Sequence, residues 1–167
     1  TDKRLFGLSY VMCKFTYDKD VFRGIPNISM DVKGTKVPDI TGTITSKKWD
    51  RNPAAILYDY LTNTTYGRGI DSSLIDLPSF QAAYNTCETA LTITGTPPPK
   101  SLEAILGNTE RKLYRLDGVL NVGHNTFDNT KKILSTCRGF LIFSAGKYKM
   151  AIDKFESEFS RTNVAGT

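Results

Sequence analysis

Hydrophobic and polar positions alternate with a period of two at both ends of the chain and with a period near 3.6 in the middle. Near the start, Val11, Cys13, Phe15 and Tyr17 fall on one side and Met12, Lys14 and Thr16 on the other, which predicts a strand. Asp18-Lys19-Asp20 is a polar turn, and Gly24-Ile25-Pro26-Asn27 is a second break, because Pro26 lacks a donor and restricts Ile25 before it. Ile28, Met30 and Val32 alternate with Ser29, Asp31 and Lys33 as a half-exposed strand, and Lys33–Lys36 reads as a hairpin turn into Val37.

Asn52-Pro53 opens a helix, with asparagine as cap and proline at a position whose N–H is not needed. Ile56, Leu57, Tyr60 and Leu61 form its apolar face; Asn63 and the loop Tyr66-Gly67-Arg68-Gly69 stop it. A second helix is predicted from about Asp76, with Pro78 in its first turn. Its apolar positions Phe80, Ala83, Tyr84, Cys87, Ala90 and Leu91 keep helical spacing, and the two helices should pack together. Pro97-Pro98-Pro99 then punctuates the chain, with a short helix possible around Leu102, Ile105 and Leu106.

Beyond it, Leu113–Val122 is predicted as a strand broken at Asp117-Gly118. Thr126 or Asp128 should cap a third helix with Ile133, Leu134 and Cys137 inward, ended by Gly139. Phe140–Phe143 and Lys147–Ile152 make a hairpin around Ser144-Ala145-Gly146. On its return strand Tyr148, Met150 and Ile152 point one way, and Lys147, Lys149 and Ala151 the other. The fold class expected is α+β, β-rich, with antiparallel hairpins and three short helices packed on the sheets. Its segments are strands over 1–48, a helical pair over 49–93, a proline-rich insertion or linker over 94–111, a β-α-β-β segment over 112–155 and a tail over 156–167.

Composition changes this picture little. The 167 residues are 40% hydrophobic and 23% charged, as in a folded soluble domain. The run Phe140–Phe143 is far too short to span a membrane, for which about 20 residues are needed. Thr1-Asp2-Lys3-Arg4 and the small, polar C-terminus both read as cuts within a longer polypeptide. The formal charge of +5 is dispersed over Lys47-Lys48, Arg111-Lys112 and Lys131-Lys132, with no basic stripe to suggest a specific nucleic-acid partner.

Candidate chemistry is equally sparse. Cys13, Cys87 and Cys137 are widely spaced and are expected to be buried thiols of a chain folded in a reducing cytoplasm. His124 is the sole histidine, and nothing in the spacing brings it to Cys137 as a catalytic dyad. Asp18 and Asp20 resemble the start of a calcium loop, but Arg23 stands where glycine is required, and no zinc-ligand spacing occurs. Gly67-Arg68-Gly69 is no phosphate loop. Paired carboxylates could be assembled from 17 acids in many ways, so they carry no signal. The residues therefore suggest no catalytic group, metal site or cofactor, and favour a structural or binding module.

Several ordered segments resemble the tail-tip hub proteins of long-tailed bacteriophages, the host-specificity or tip-attachment family related to baseplate hubs. They are Phe22–Ile28, Val32–Val37, Trp49–Ala54 running through Leu57–Leu61 to Tyr66-Gly67, then Ile75-Asp76, Ser79-Phe80, Ala82-Ala83 and Cys87, and finally Asp117–Val119 and Cys137–Gly139 through Gly146-Lys147. They cover most of residues 6–153, and the chain departs from the pattern at Thr96–Pro99. The resemblance brings no catalytic residue. It implies a virion domain of a phage or prophage tail tip, assembled in the bacterial cytoplasm within a homotrimeric hub. Tail-tube, distal-tail and tape-measure proteins would be its neighbours, with a host receptor a further partner. Ile25, Pro26, Trp49, Asn52, Pro53, Tyr66, Gly67, Gly118, Gly139 and Gly146 are the motif residues, expected to maintain the fold. A receptor- or carbohydrate-binding module, suggested by eight Tyr and one Trp, is the alternative, and a cell-wall hydrolase the third class.

Overall fold

The structure, a computed structural model, describes residues 10–16, 24, 26–30, 32–92 and 110–153. The chain divides into two units, Thr1–Lys33 and Gly34–Thr167. In the first, residues 10–16 and the described part of 26–32 form no strand, contrary to the alternation. Tyr10, Val11, Met12, Phe15, Ile28, Met30 and Val32 are exposed. Cys13 is exposed as well, which corrects its expected burial. Alternation marks a strand only where a partner and a core exist to use it. Tyr17 and Ile25 lie outside the described residues.

The second unit is α+β, with three α-helices and three antiparallel strand pairs among its described residues. Strand β1 (Val37–Pro38) pairs with β2 (Lys47–Lys48), so the first hairpin follows Val37 rather than turning at Lys33–Lys36. Asp39 organises that turn. Its carboxylate accepts from the Thr41 and Gly42 amides (both 3.2 Å) and the Thr41 hydroxyl (2.9 Å), and pairs with Lys48 at 3.0 Å. The Lys48 and Thr41 hydrogen bonds hold the Asp39 carboxyl below its ordinary pKa. Gln81 Nε2 donates to the Ile40 carbonyl at 2.7 Å, fastening the turn to the second helix.

Helix α1 (Pro53–Thr62) starts at Asn52, whose side-chain oxygen accepts from the Ala54 amide at 3.0 Å, with Pro53 at the first helical position. It ends at Asn63. A one-turn 3-10 helix (Ser72–Leu74) leads into α2 (Leu77–Cys87), capped by Asp76 on the Ser79 amide with Pro78 in its first turn. Ile40, Leu57, Leu61, Phe80 and Ile133 are fully buried apolar anchors of the core, and Tyr58 meets Phe80 edge-on with ring centroids 5.9 Å apart. Burying a side chain the size of Phe80 is worth about 2–3 kcal/mol.

Ala90 and Leu91 do not continue α2. They belong to β3 (Ala90–Thr92), antiparallel to β4 (Glu110–Lys112). The reason lies at the end of α2, where the Cys87 and Thr89 carbonyls accept from the Tyr114 (3.2 Å) and Leu113 (2.9 Å) amides. Backbone partners outside the helix thus outbid the next helical turn. The predicted strand over Leu113–Val122 is accordingly displaced: the strand is β4, and residues 113–122 follow it without one. Pro97–Pro99 and the possible helix around Leu102–Leu106 lie outside the described residues.

Helix α3 (Thr126–Ser135) is capped by Asn125, whose side chain accepts from the Phe127 amide at 3.0 Å; Thr126 and Asp128 lie inside it. The left-handed stop after it is Arg138 (φ 53°), and Gly139 already opens the next strand. Strands β5 (Gly139–Ser144) and β6 (Lys147–Ile152) form the longest pair among the described residues, in register from Gly139↔Ile152 to Ser144↔Lys147.

Candidate functional site

Among the described residues, the β5–β6 hairpin is the longest strand pair and carries three exposed apolar side chains, Phe140, Ile142 and Phe143. Its two-residue turn has Ala145 at φ 52° and Gly146 at φ 73°, the left-handed pair that matches the twist of the strands. One edge is covered: the Asp76 amide donates to the Tyr148 carbonyl at 2.9 Å, Ile75 bridges Tyr148 in parallel, and the Met150 amide donates to Ser79 Oγ at 3.1 Å. The other edge belongs to β5, and among the described residues no further strand pairs with it.

The side chains on this hairpin divide as their register requires. Met150 is buried and Leu141 opposite it is half-buried, so that face meets the core. Phe140 (57% exposed) and Ile142 (50%) stand on the opposite face, across from Ala151 and Lys149, with Lys147 beyond. Phe143 (62% exposed) sits over Tyr148 with ring centroids 4.9 Å apart. A free strand edge flanked by exposed apolar side chains is a template for pairing with another chain.

A polar knot ties the helical pair together. Lys48 Nζ lies 3.0 Å from Asp39 and 3.6 Å from Asp50, and 5.4 Å from the centre of the Tyr84 ring; Asp50 accepts from the Tyr84 hydroxyl at 2.9 Å. Asn52 is fully buried, and its Nδ2 donates to the Tyr84 carbonyl (3.1 Å) and to Glu88 Oε1 (2.9 Å), which Arg115 also reaches at 2.8 Å. Arg51 and Asp117 form an exposed ion pair. The exposed pairs contribute little each, below about 1 kcal/mol; the buried Asn52 contacts matter more.

The other described motif residues differ in their burial. Trp49 is 41% exposed and stands outside the buried core. Pro53 is buried, Pro26 is half-buried and Gly118 is exposed. The half-buried Tyr66 donates its hydroxyl to Asp59, and burial followed by that contact pushes the Tyr66 phenol far above its usual pKa. Gly67 packs directly on the last turn of α1. Spacing alone predicted none of the long-range partners of Asn52 or the open β5 edge. The exposed alternation of Phe140 and Ile142 was the available signal for the latter.

The residues bring no reactive constellation together in the described region. His124 is exposed, with Lys132 Nζ 3.5 Å from its Nδ1, whereas Cys137 is fully buried. No group of three or more His, Cys, Asp or Glu converges as a metal set among the described residues. A depression of about 740 Å³ between α2 and the Leu113-Tyr114 segment is lined by Asn85, Thr86, Tyr114 and the Arg138–Asp153 pair, with neither histidine nor cysteine. No helix among the described residues is long and apolar enough to cross a membrane.

The chain resembles a phage hub protein. It is 25% identical over 180 aligned residues to baseplate hub protein pb3 of Escherichia phage T5, a match that covers 98% of this chain and 18% of that protein. The chain therefore spans less than a fifth of the relative it matches. No family model matches it. The likeness supports kinship with phage tail hubs at that coarse level, and nothing in it singles out the tip-attachment branch.

Proposed function

We propose that this chain is a non-catalytic structural module of a phage or prophage tail hub, located at the baseplate or tip end of the virion tail. The observation that carries the reading is the likeness to a baseplate hub protein along nearly the whole chain. The β5 edge supports it, because an assembly module needs surfaces that gain partners on docking, and Phe140 and Ile142 lie exposed beside that edge. In this reading the parent hub is a homotrimer that meets tail-tube, distal-tail and tape-measure proteins and contributes to host attachment. The motif residues Asn52, Pro53, Tyr66 and Gly67 hold the frame, and the β5 face docks against a neighbouring subunit of the tail.

Gold-labelled antibody raised against this domain should mark the end of the tail distal to the head in micrographs of the parent virion. Label on the capsid would overturn the assignment. The docking face has its own test. Ile142→Glu places a charge on an exposed position and should leave the isolated domain within about 0.5 kcal/mol of wild type, while sharply reducing the yield of complete tails. Normal tail yield with this variant would remove the β5 face from the assembly.

A further inference from the structure

The free edge of β5 can be resolved residue by residue. In a hairpin closed by a two-residue left-handed turn, the flanking residues Ser144 and Lys147 exchange both backbone bonds, and every second pair beyond them does the same. Ile142 and Phe140 therefore spend their backbone groups on β6, whereas Leu141 and Phe143 aim theirs outward. The far edge of the hairpin obeys this parity: Tyr148 and Met150, the partners of Phe143 and Leu141, bond outward to Asp76 and Ser79. On the β5 side, among the described residues, no such bond reaches Leu141 or Phe143. The exposed face beside that edge carries Phe140, Ile142 and Ser144, backed in register by Ala151, Lys149 and Lys147. Residues 139–152 hold two lysines and no acid, and neither Lys147 nor Lys149 has a carboxylate partner among the described residues.

We propose that the β5 edge takes up an extended segment of a neighbouring tail protein as an added antiparallel strand. Its residues opposite Phe140 and Ile142 are apolar, and its residue opposite Ser144 is a carboxylate. The proposal deepens the docking face described above and rests on that reading for the partner being a tail subunit. Antiparallel is the orientation of every strand pair among the described residues, and it is the slightly more stable one. Two residues of the incoming strand exchange bonds with Leu141 and Phe143, which satisfies their four outward backbone groups. The residues opposite Phe140, Ile142 and Ser144 then form the close, non-bonded pairs, with side chains on the same exposed face. Phe140 and Ile142 call for apolar neighbours there. Ser144 is short, so a glutamate beside it can lean across toward Lys147 on the third strand. The two backbones lie about 10 Å apart, a span the two long side chains cover together. A second copy of β5 fits less well, because Gly-Phe-Leu-Ile-Phe-Ser offers no carboxylate in either direction.

The test titrates the full chain, isotopically labelled for nuclear magnetic resonance, with the capped peptide acetyl-Thr-Glu-Thr-Val-Thr-Val-Thr-amide. Paired antiparallel, this probe sets glutamate opposite Ser144 and valine opposite Ile142 and Phe140. A free peptide must be ordered on binding, so a dissociation constant of about 1 mM is expected. The Leu141 and Phe143 amide resonances should shift and gain protection from hydrogen exchange, while those of Tyr148 and Met150 stay in place. The same peptide with lysine for glutamate should bind at least about threefold more weakly, and Lys147→Glu should reverse that order. Phe143→Pro removes one outward donor, a change that an edge strand tolerates. It should abolish binding while the β5–β6 cross-strand contacts persist. Unmoved Leu141 and Phe143 amides, or equal binding of the two peptides, would overturn the proposal. So would a dimer of the free chain that Phe143→Pro dissolves, because β5 would then be its own partner. None of these results alters where a gold-labelled antibody lands on the virion, so the strand partner and the hub reading can fail separately.

Discussion

Gly67→Ala should destabilise the domain by at least about 3 kcal/mol, the largest effect expected of any single methyl group here. A β-carbon at that position would stand 2.0 Å from the Tyr60 carbonyl oxygen and 2.8 Å from that of Asn63. Both are backbone atoms at the end of α1 and cannot swing aside like a side chain. They are already engaged: Tyr60 O accepts from Arg68 at 2.9 Å and Asn63 O from Gly69 at 3.0 Å, while the Ile70 amide satisfies Leu61 O at 2.8 Å. The loop therefore caps the helix by lying against it, and a methyl group would pry the two apart. Chemical denaturation followed by circular dichroism measures the loss. Gly118→Ala, in open space, is the control and should stay within about 0.5 kcal/mol of wild type. Equal midpoints for the two variants would refute the close-approach account.

Asn52→Ala should cost about 3 kcal/mol, because one side chain serves two helices. Its oxygen caps α1 on the Ala54 amide, and its amide nitrogen holds the Tyr84 carbonyl and Glu88 where α2 ends. Removing the cap alone costs about 1 kcal/mol. Losing the two bonds to Tyr84 and Glu88 and leaving a void in place of a fully buried side chain add the rest. Asn52→Asp separates these contributions, since a carboxylate can still cap but cannot donate. It would also face Glu88, so its own pKa would be raised in the folded state. The penalty of Asn52→Asp is thus greatest at neutral pH and shrinks as pH falls through the carboxylate range. Wild-type stability of Asn52→Asp at pH 7 would show that the bonds to α2 contribute nothing.

These two residues also mark how far the sequence could be read. The start of α1 at Asn52-Pro53, the start of α2 at Asp76, and the turn at Ala145-Gly146 are local events, decided by caps, proline and left-handed residues within a few positions. Each was legible. The α+β class followed from them. The strand alternation of Val11–Tyr17 and Ile28–Val32 misled, because a strand exists only with a partner that the pattern does not name. The helical spacing of Ala90 and Leu91 misled for the opposite reason: the chain was captured at Thr89 by a segment more than twenty residues onward.

At the third helix, Asn125 and Arg138 took the roles assigned to Thr126 or Asp128 and to Gly139. Each shift is a residue or a few, within the reach of competing side chains that can do the same work. Of the candidate surface, the apolar alternation of β5 was visible but its free edge was not.

The clamp formed by Ala90–Thr92 against Glu110–Lys112 has a consequence for how such a chain can change. Because departure and return lie side by side, the polypeptide between them can be lengthened, shortened or exchanged while the core keeps its register. Doubling that stretch adds only about 0.6 kcal/mol of closure entropy. A change of length between Thr92 and Glu110 therefore costs the core little, because the two strands that bracket it already hold its ends together.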